Sequence, residues 1–241
     1  RFGIKMTELL YMKDSYAHDF EATVTKVEGK IVVLDKTAFY PQGGGVPDDR
    51  GKLINIANSK TYNVQMVKKM GSDVMHEVDE AGLKMGDKVH GWLDWPRRYQ
   101  LMRMHTAAHI LSAVVNKETG ALITGNQIDL DKARIDFDLE TFDREKLAEY
   151  CANASREIAE NQPITVEFLP REQALKIPNV VKLAGALPPA VKELRIVKIG
   201  DVDVQADGGP HVANTKEVGT VEIASTENKG KNNRRIYFTL R

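Results

Sequence analysis

The feature that most constrains this chain is a change of hydrophobic period near Pro96. Before it, apolar residues alternate in short runs; after it, they recur every three or four residues. Alternation fills one face of a strand, and the longer period fills one face of a helix. "FEATVTKV" (20–27), "KIVVLD" (30–35), "TYNVQMVKK" (61–69), "DVMHEV" (73–78) and "KVHGWLDW" (87–94) read as strands bounded by Gly, Asp or Lys-rich turns, with Glu28-Gly29 a hairpin-like break. Five or six short strands with glycine-rich connections predict a small β-barrel over 1–95. We expect Met6 to be the native start behind a short expression remnant, so 1–5 are left out of the fold argument.

From Arg97 onward, Leu101, Met104, Ala108, Leu111 and Val115 mark one helix face, and Gly120 ends the helix. "ARIDFDL" (133–139) predicts a strand. A second helix over 142–161 buries Leu147, Cys151, Ala154 and Ile158, and Pro163 ends it. Strands follow at 164–169, 193–200, 217–225 and 234–240, with a short helix over 170–177 started by Pro170. Helices and strands that need not alternate strictly predict an α+β domain over 96–241.

Composition narrows the partners. Lys plus Arg equals Asp plus Glu, 34 each, so no global basic field exists and any nucleic-acid binding must use local patches. Cys151 is the one cysteine, which excludes an intrachain disulfide and suits a reducing cytoplasm. No apolar run is long enough to span a bilayer, so no membrane partner is expected.

"HTAAH" (105–109) sits on the first helix. His105 and His109, with Met102 and Ser112, form a stripe beside the apolar one, at the edge of the buried face. Two imidazoles four apart suit a metal ion; they equally suit packed histidines with satisfied nitrogens. His18, His76 and His90 fall in the β region and read as surface or strand-packing residues. His211 differs: it lies in "QADGGPHVANTKEVG" (205–219), a tight irregular loop, with Asp207 four residues before it. The set His105, His109, His211 and Asp207 would offer three nitrogens and an oxygen to zinc.

The chain resembles the AlaX family of alanyl-tRNA editing proteins, free-standing relatives of the editing domain of alanyl-tRNA synthetase. "LDKTAFYPQGGGVPDDRG" (34–51) is similar to the family's glycine-rich segment, "HTAAH" to its H-x-x-x-H, and "DGGPH" to its C-x-x-x-H. "RIDFDL" (134–139) and "GKNNRRI" (230–236) also match, in the right order. The resemblance implies a barrel of the translation-factor type, then an α+β zinc-binding editing domain, the layout of the medium-sized AlaX type. It implies one zinc per chain and hydrolysis of serine or glycine from tRNA(Ala), by a monomer or homodimer in the cytoplasm. Thr37 matches the position expected to read the serine hydroxyl, and Gly43, Gly44 and Gly45 would let backbone approach the substrate. Zinc in this family would either activate water or hold the substrate's amino group. For tRNA we single out Arg97, Arg98, Lys229, Lys231, Arg234 and Arg235, with Arg103 near the first two.

Two departures stand out. Asp207 occupies the family's cysteine position: it either ligates the metal, orients a ligating histidine, or does neither. Val46 stands where the family often has Gln. Two other readings compete: a metal-dependent hydrolase of another small ester or amide, and a tRNA-binding module whose metal site has decayed.

Overall fold

The computed structural model describes residues 6–141, 144–178, 180–181 and 191–241. They fall into two compact units, one ending at Gln100 and the other beginning at Leu101.

The first unit contains β1 (Glu8–Leu9), β2 (Asp19–Glu28), β3 (Ile31–Leu34), β4 (Lys36–Thr37), β5 (Gly51–Asn55), β6 (Thr61–Met70), β7 (Asp73–Val78) and β8 (Lys88–Leu93). Six of these strands close a barrel in the order β2-β3-β7-β6-β5-β8, and β1 pairs with β4 in parallel. Alternation is the cause: in β2, Phe20, Ala22 and Val24 point inward, and their neighbours Asp19, Glu21 and Thr23 do not. The interior is filled by residues such as Leu34, Phe39, Leu53, Tyr62, Val67 and Val89. The pattern alone did not mark β5, a five-residue strand beside the glycine-rich segment whose pleat is obscured by Gly51 and Lys52.

Helix α1 (Trp95–Thr119) begins in the first unit and continues into the second, with Pro96 in its first turn and Gly120, at φ +75°, ending it. The expected amphipathic stripe is too narrow. Every residue from Met104 to Val115 is buried, so the histidines lie on an enclosed helix and not at a face edge. The second unit continues with β9 (Ile123–Gln127), β10 (Ala133–Phe137), α2 (Arg144–Ala159), β11 (Ile164–Pro170), α3 (Arg171–Ala174), β12 (Glu193–Ile199), β13 (Asp203–Ala206), β14 (Val221–Asn228) and β15 (Arg234–Leu240). They form a four-stranded sheet, β14-β15-β10-β9, and a three-stranded sheet, β11-β12-β13. Both are antiparallel, which gives the α+β class.

Some expected boundaries moved. Residues 142–143 of the second helix lie outside the described residues. Tyr150 is buried on α2, whereas Cys151 is only half-buried, its Sγ 3.3 Å from the Val221 carbonyl. The strand expected from 217 begins at Val221. Asn214 and Glu217 form a reciprocal cap that winds Thr215–Val218 into a 3-10 turn first.

Candidate metal centre

Helix α1 presents His105 and His109 one turn apart, and the loop after β13 brings Asp207 and His211 to them. One ligand atom from each of the four lies within 4.8 Å of the others. Asp207 carboxylate oxygens stand 3.7 Å from His105 Nε2, 3.8 Å from His109 Nε2 and 3.3 Å from His211 Nε2. Tetrahedral zinc with bonds near 2.0 Å needs ligand separations of about 3.3 Å, so the Asp207 distances are within about 0.5 Å of that value while separations of up to 4.8 Å within the set would have to contract.

The outer nitrogens decide whether the inner ones can ligate. His105 Nδ1 lies 3.2 Å from the Pro210 carbonyl, which can only accept, so Nδ1 carries the hydrogen and Nε2 keeps its lone pair. His109 Nδ1 donates to Asp203 Oδ2 at 3.0 Å, and Gln205 Nε2 donates to the same oxygen at 2.8 Å. His211 Nδ1 lies 3.0 Å from Thr106 Oγ1. Each imidazole is thus held from behind with its Nε2 turned to the common centre, an arrangement typical of metal-binding histidines.

Electrostatics hold His105, His211 and Asp207 in ligand form, whereas His109 keeps a proton near neutral pH that a metal would displace. Burial holds His105 down to about 4, and holds His211 well below the ordinary histidine value with help from His105 beside it. The two rings stack at 4.2 Å between centroids, which two imidazolium ions would not tolerate. Burial opposes charge on His109 too, but Asp203 and Asp207 outweigh it and raise the group to about 9. Burial would raise Asp207, yet the histidines around it hold it well below the usual carboxylate range. Three nitrogen donors and a carboxylate fit zinc or a harder divalent ion.

The loop is fixed by its backbone. Asp207 Oδ1 accepts from the Gly209 amide at 2.7 Å. Buried Arg195 donates through Nη1 to the carbonyls of Asp207 and Gly209, both at 2.9 Å. A Cβ on Gly209 would stand 2.6 Å from His105 Cε1, so only glycine fits against that ring. Asp203, Gln205, Thr106 and Arg195 were missed in the sequence. One signal was present: Asp203, Gln205 and Asp207 alternate, and the first two are buried polar residues on β13, so this strand turns a polar face inward.

In the first unit, Thr37 is fully buried. Its Oγ1 accepts from the Phe39 amide at 3.1 Å and lies 2.8 Å from His76 Nε2. His76 Nδ1 faces the Val32 carbonyl at 3.3 Å, and burial lowers His76 to about 4. Neutral His76 therefore accepts at Nε2, and the Thr37 hydroxyl hydrogen is committed to it. Gly43 and Val46 exchange backbone hydrogen bonds around Gly44 (φ +58°) and Gly45 (φ +86°), a tight hairpin turn that needs positive φ at both central residues. Val46 is buried beneath it.

The basic residues divide sharply. Arg98, expected at the RNA, has no exposed surface, and its guanidinium is bound to Asp49 and to the carbonyls of Ser15 and Ala38, so it cannot meet RNA. Arg97 donates to the Asp48 carbonyl, and Arg103 to those of Glu217 and Val218. Arg234 closes the β14–β15 turn through Asn228, Gly230 and Asn233, and Arg235 grips Asp136. Lys229 and Lys231 are exposed on that turn. Among the described residues no helix is long and apolar enough to cross a membrane.

Two family models match the chain: threonyl and alanyl tRNA synthetase second additional domain over residues 194–237, and tRNA synthetases class II (A) over 7–97. An alanyl-tRNA editing protein AlaX-M of Methanosarcina barkeri is 49% identical over 241 residues, covering 98% of this chain and 99% of its own. An AlaX-M of Saccharolobus solfataricus is 45% identical, covering 98% and 100%. The alanine–tRNA ligase of Thermococcus kodakarensis is 40% identical over 96% of this chain but only 25% of the ligase. Similarity to free-standing proteins from end to end, and to a quarter of the ligase, places the chain in the AlaX-M family of alanyl-tRNA editing proteins.

Proposed function

We propose that this protein acts in trans on mischarged tRNA(Ala), releasing serine and glycine, at a zinc ion held by His105, His109, His211 and Asp207. As a member of its family it is an aminoacyl-tRNA deacylase, a carboxylic ester hydrolase. The observation that carries the metal reading is the convergence of three imidazole Nε2 atoms and one carboxylate, each imidazole fixed through its other nitrogen. A decayed site would have no reason to keep those rear contacts. Asp207 takes the place of the family's cysteine as the fourth donor. Zinc bound there would supply Lewis-acid polarisation of the ester carbonyl or of water. The chain's own groups orient the donors: Asp203 and Thr106 hold two rings, and Arg195 holds the loop.

Thr37 is the residue we assign to serine discrimination. Its hydrogen is given to His76, so it has only a lone pair to offer a serine hydroxyl, and it must be uncovered to do so. Rejection of alanine would follow from leaving that acceptor unpaired. Thr37→Val should therefore raise hydrolysis of Ala-tRNA(Ala) relative to Ser-tRNA(Ala); an unchanged ratio removes Thr37 from the mechanism.

The deciding experiment compares Ser-, Gly- and Ala-tRNA(Ala) side by side, with and without a chelator. We expect the first two to be hydrolysed, the third spared, and activity to vanish on metal removal. Equal rates on all three would point to a general ester hydrolase. Activity that survives metal removal would sink the zinc assignment.

A further inference from the structure

The four-stranded sheet of the second unit has two unlike faces. Ile135, Phe137, Ile236 and Phe238 are each 0–1% exposed on one side. The alternate residues Arg134, Asp136, Arg235 and Tyr237 occupy the other. In register, Arg134 stands opposite Tyr237, and Asp136 opposite Arg235. Asp136 is consumed within the sheet. Arg235 donates to its two oxygens at 2.6 and 2.8 Å, and Arg134 donates at 2.9 Å. Tyr237 carries cations over its ring, Lys132 Nζ at 4.9 Å and Arg235 Cζ at 5.8 Å from the centroid.

These groups line a depression of about 580 Å³, with Gln127 on β9 and with Asp129 and Asp131 on the turn before β10. Around the depression stand three cations, Lys132, Arg134 and Arg235, and three carboxylates, Asp129, Asp131 and Asp136, the last of them spent on the two arginines. At the β14–β15 turn, by the Phe137 end of β10, Lys229, Lys231 and Arg234 outnumber Glu227. An open antiparallel face with an aromatic ring ringed by cations offers stacking to a base and charge to phosphates.

We propose that this face is the RNA-docking surface of the protein, with Lys132 and Arg134 meeting phosphates and Tyr237 stacking on an unpaired base. The proposal rests on the reading that the chain acts on tRNA. It moves the contact from Arg98, which is buried, and Arg234, which is spent on its own turn, to three residues the sequence pattern did not mark. Lys132 is exposed and lies over the Tyr237 ring, with no ion pair to break among the described residues, so it can turn to a phosphate.

The test is binding of tRNA(Ala) to the full chain by fluorescence anisotropy across a salt series, with metal content measured alongside. Tyr237→Ala should weaken binding about 5- to 100-fold, and Tyr237→Phe should restore it, because stacking needs the ring and not the hydroxyl. Lys132→Ala should reduce the slope of log affinity against log salt by roughly 0.7–0.9. Zinc content should stay at the wild-type level, and KM for Ser-tRNA(Ala) should rise more than kcat falls. Wild-type affinity and slope in both Lys132→Ala and Tyr237→Ala, in a protein that still deacylates tRNA, would overturn this surface and leave the deacylase reading standing. If Tyr237→Ala instead disrupts a homodimer with tRNA affinity unchanged, the face is a protein interface and the proposal fails. No tRNA binding by the wild-type protein would overturn both.

Discussion

At the scale of single residues, the second unit is built around what cannot be enlarged or re-aimed. Gly209→Ala would drive a methyl into the His105 ring. If the cluster holds zinc as proposed, that variant should fold but lose most of the metal, checked by metal content after dialysis; full retention would mean the ring has room to move. By contrast Gly44 has nothing near its Cβ position, so alanine there meets only the strain of its positive φ. The sequence made the four inward donors legible, because "HTAAH" and "DGGPH" are local patterns. The groups behind them were less legible: the alternation of Asp203, Gln205 and Asp207 hints at a polar strand face, but Asp203 lies 94 residues from His109 along the chain and nothing local ties the two. His76 shows the same limit. A histidine in an alternating strand reads as packing, and only the fold reveals that it holds the Thr37 hydroxyl.

At the scale of elements, buried ionisable groups set two measurable costs. His76 sits in β7 with its value lowered to about 4 against an ordinary 6.5. The unfolded chain therefore binds a proton that the folded barrel refuses as pH falls below 6.5. Stability from this group is complete above pH 6.5 and is lost progressively down to about pH 4, by about 3 kcal/mol in all. Urea titrations of His76→Gln should show a shallower loss between those pH values than the wild type; identical slopes would refute the assignment. At the start of α1, Arg98 and Asp49 form a fully enclosed ion pair. Arg98→Ala leaves Asp49 without its cation and should cost about 3–5 kcal/mol of stability, read as a lower unfolding midpoint. A loss of tRNA affinity with stability unchanged would restore the sequence reading of Arg98 as an RNA contact. That reading went astray because neighbouring arginines look alike in a sequence, whereas a helix sends adjacent side chains in different directions. Period sufficed for five of the six barrel strands and for β15. It failed at β9, β13 and the 3-10 turn, where strands of four or five residues or a cap override it.

At the scale of the molecule, the metal should act as a ligand of the folded state alone. Zinc at a hundred times its dissociation constant should add about 2.7 kcal/mol to stability, visible as a raised melting temperature that a chelator reverses. A melting temperature indifferent to both would show that no ion binds the folded form. There is also an order in time. β10 spans Ala133–Phe137, yet its neighbour β15 is Arg234–Leu240, about a hundred residues later. At a synthesis rate of about 5–20 residues per second, a ribosome would need roughly 5–20 s to supply that partner. For that interval Ile135 and Phe137 have no strand to pair with on that side, and His105 and His109 wait for most of it without Asp207 and His211. Completion of the sheet and assembly of the donor set are thus late events in the life of each new chain. A slow codon between those two stretches would lengthen that exposure, whereas a pause before His105 would not.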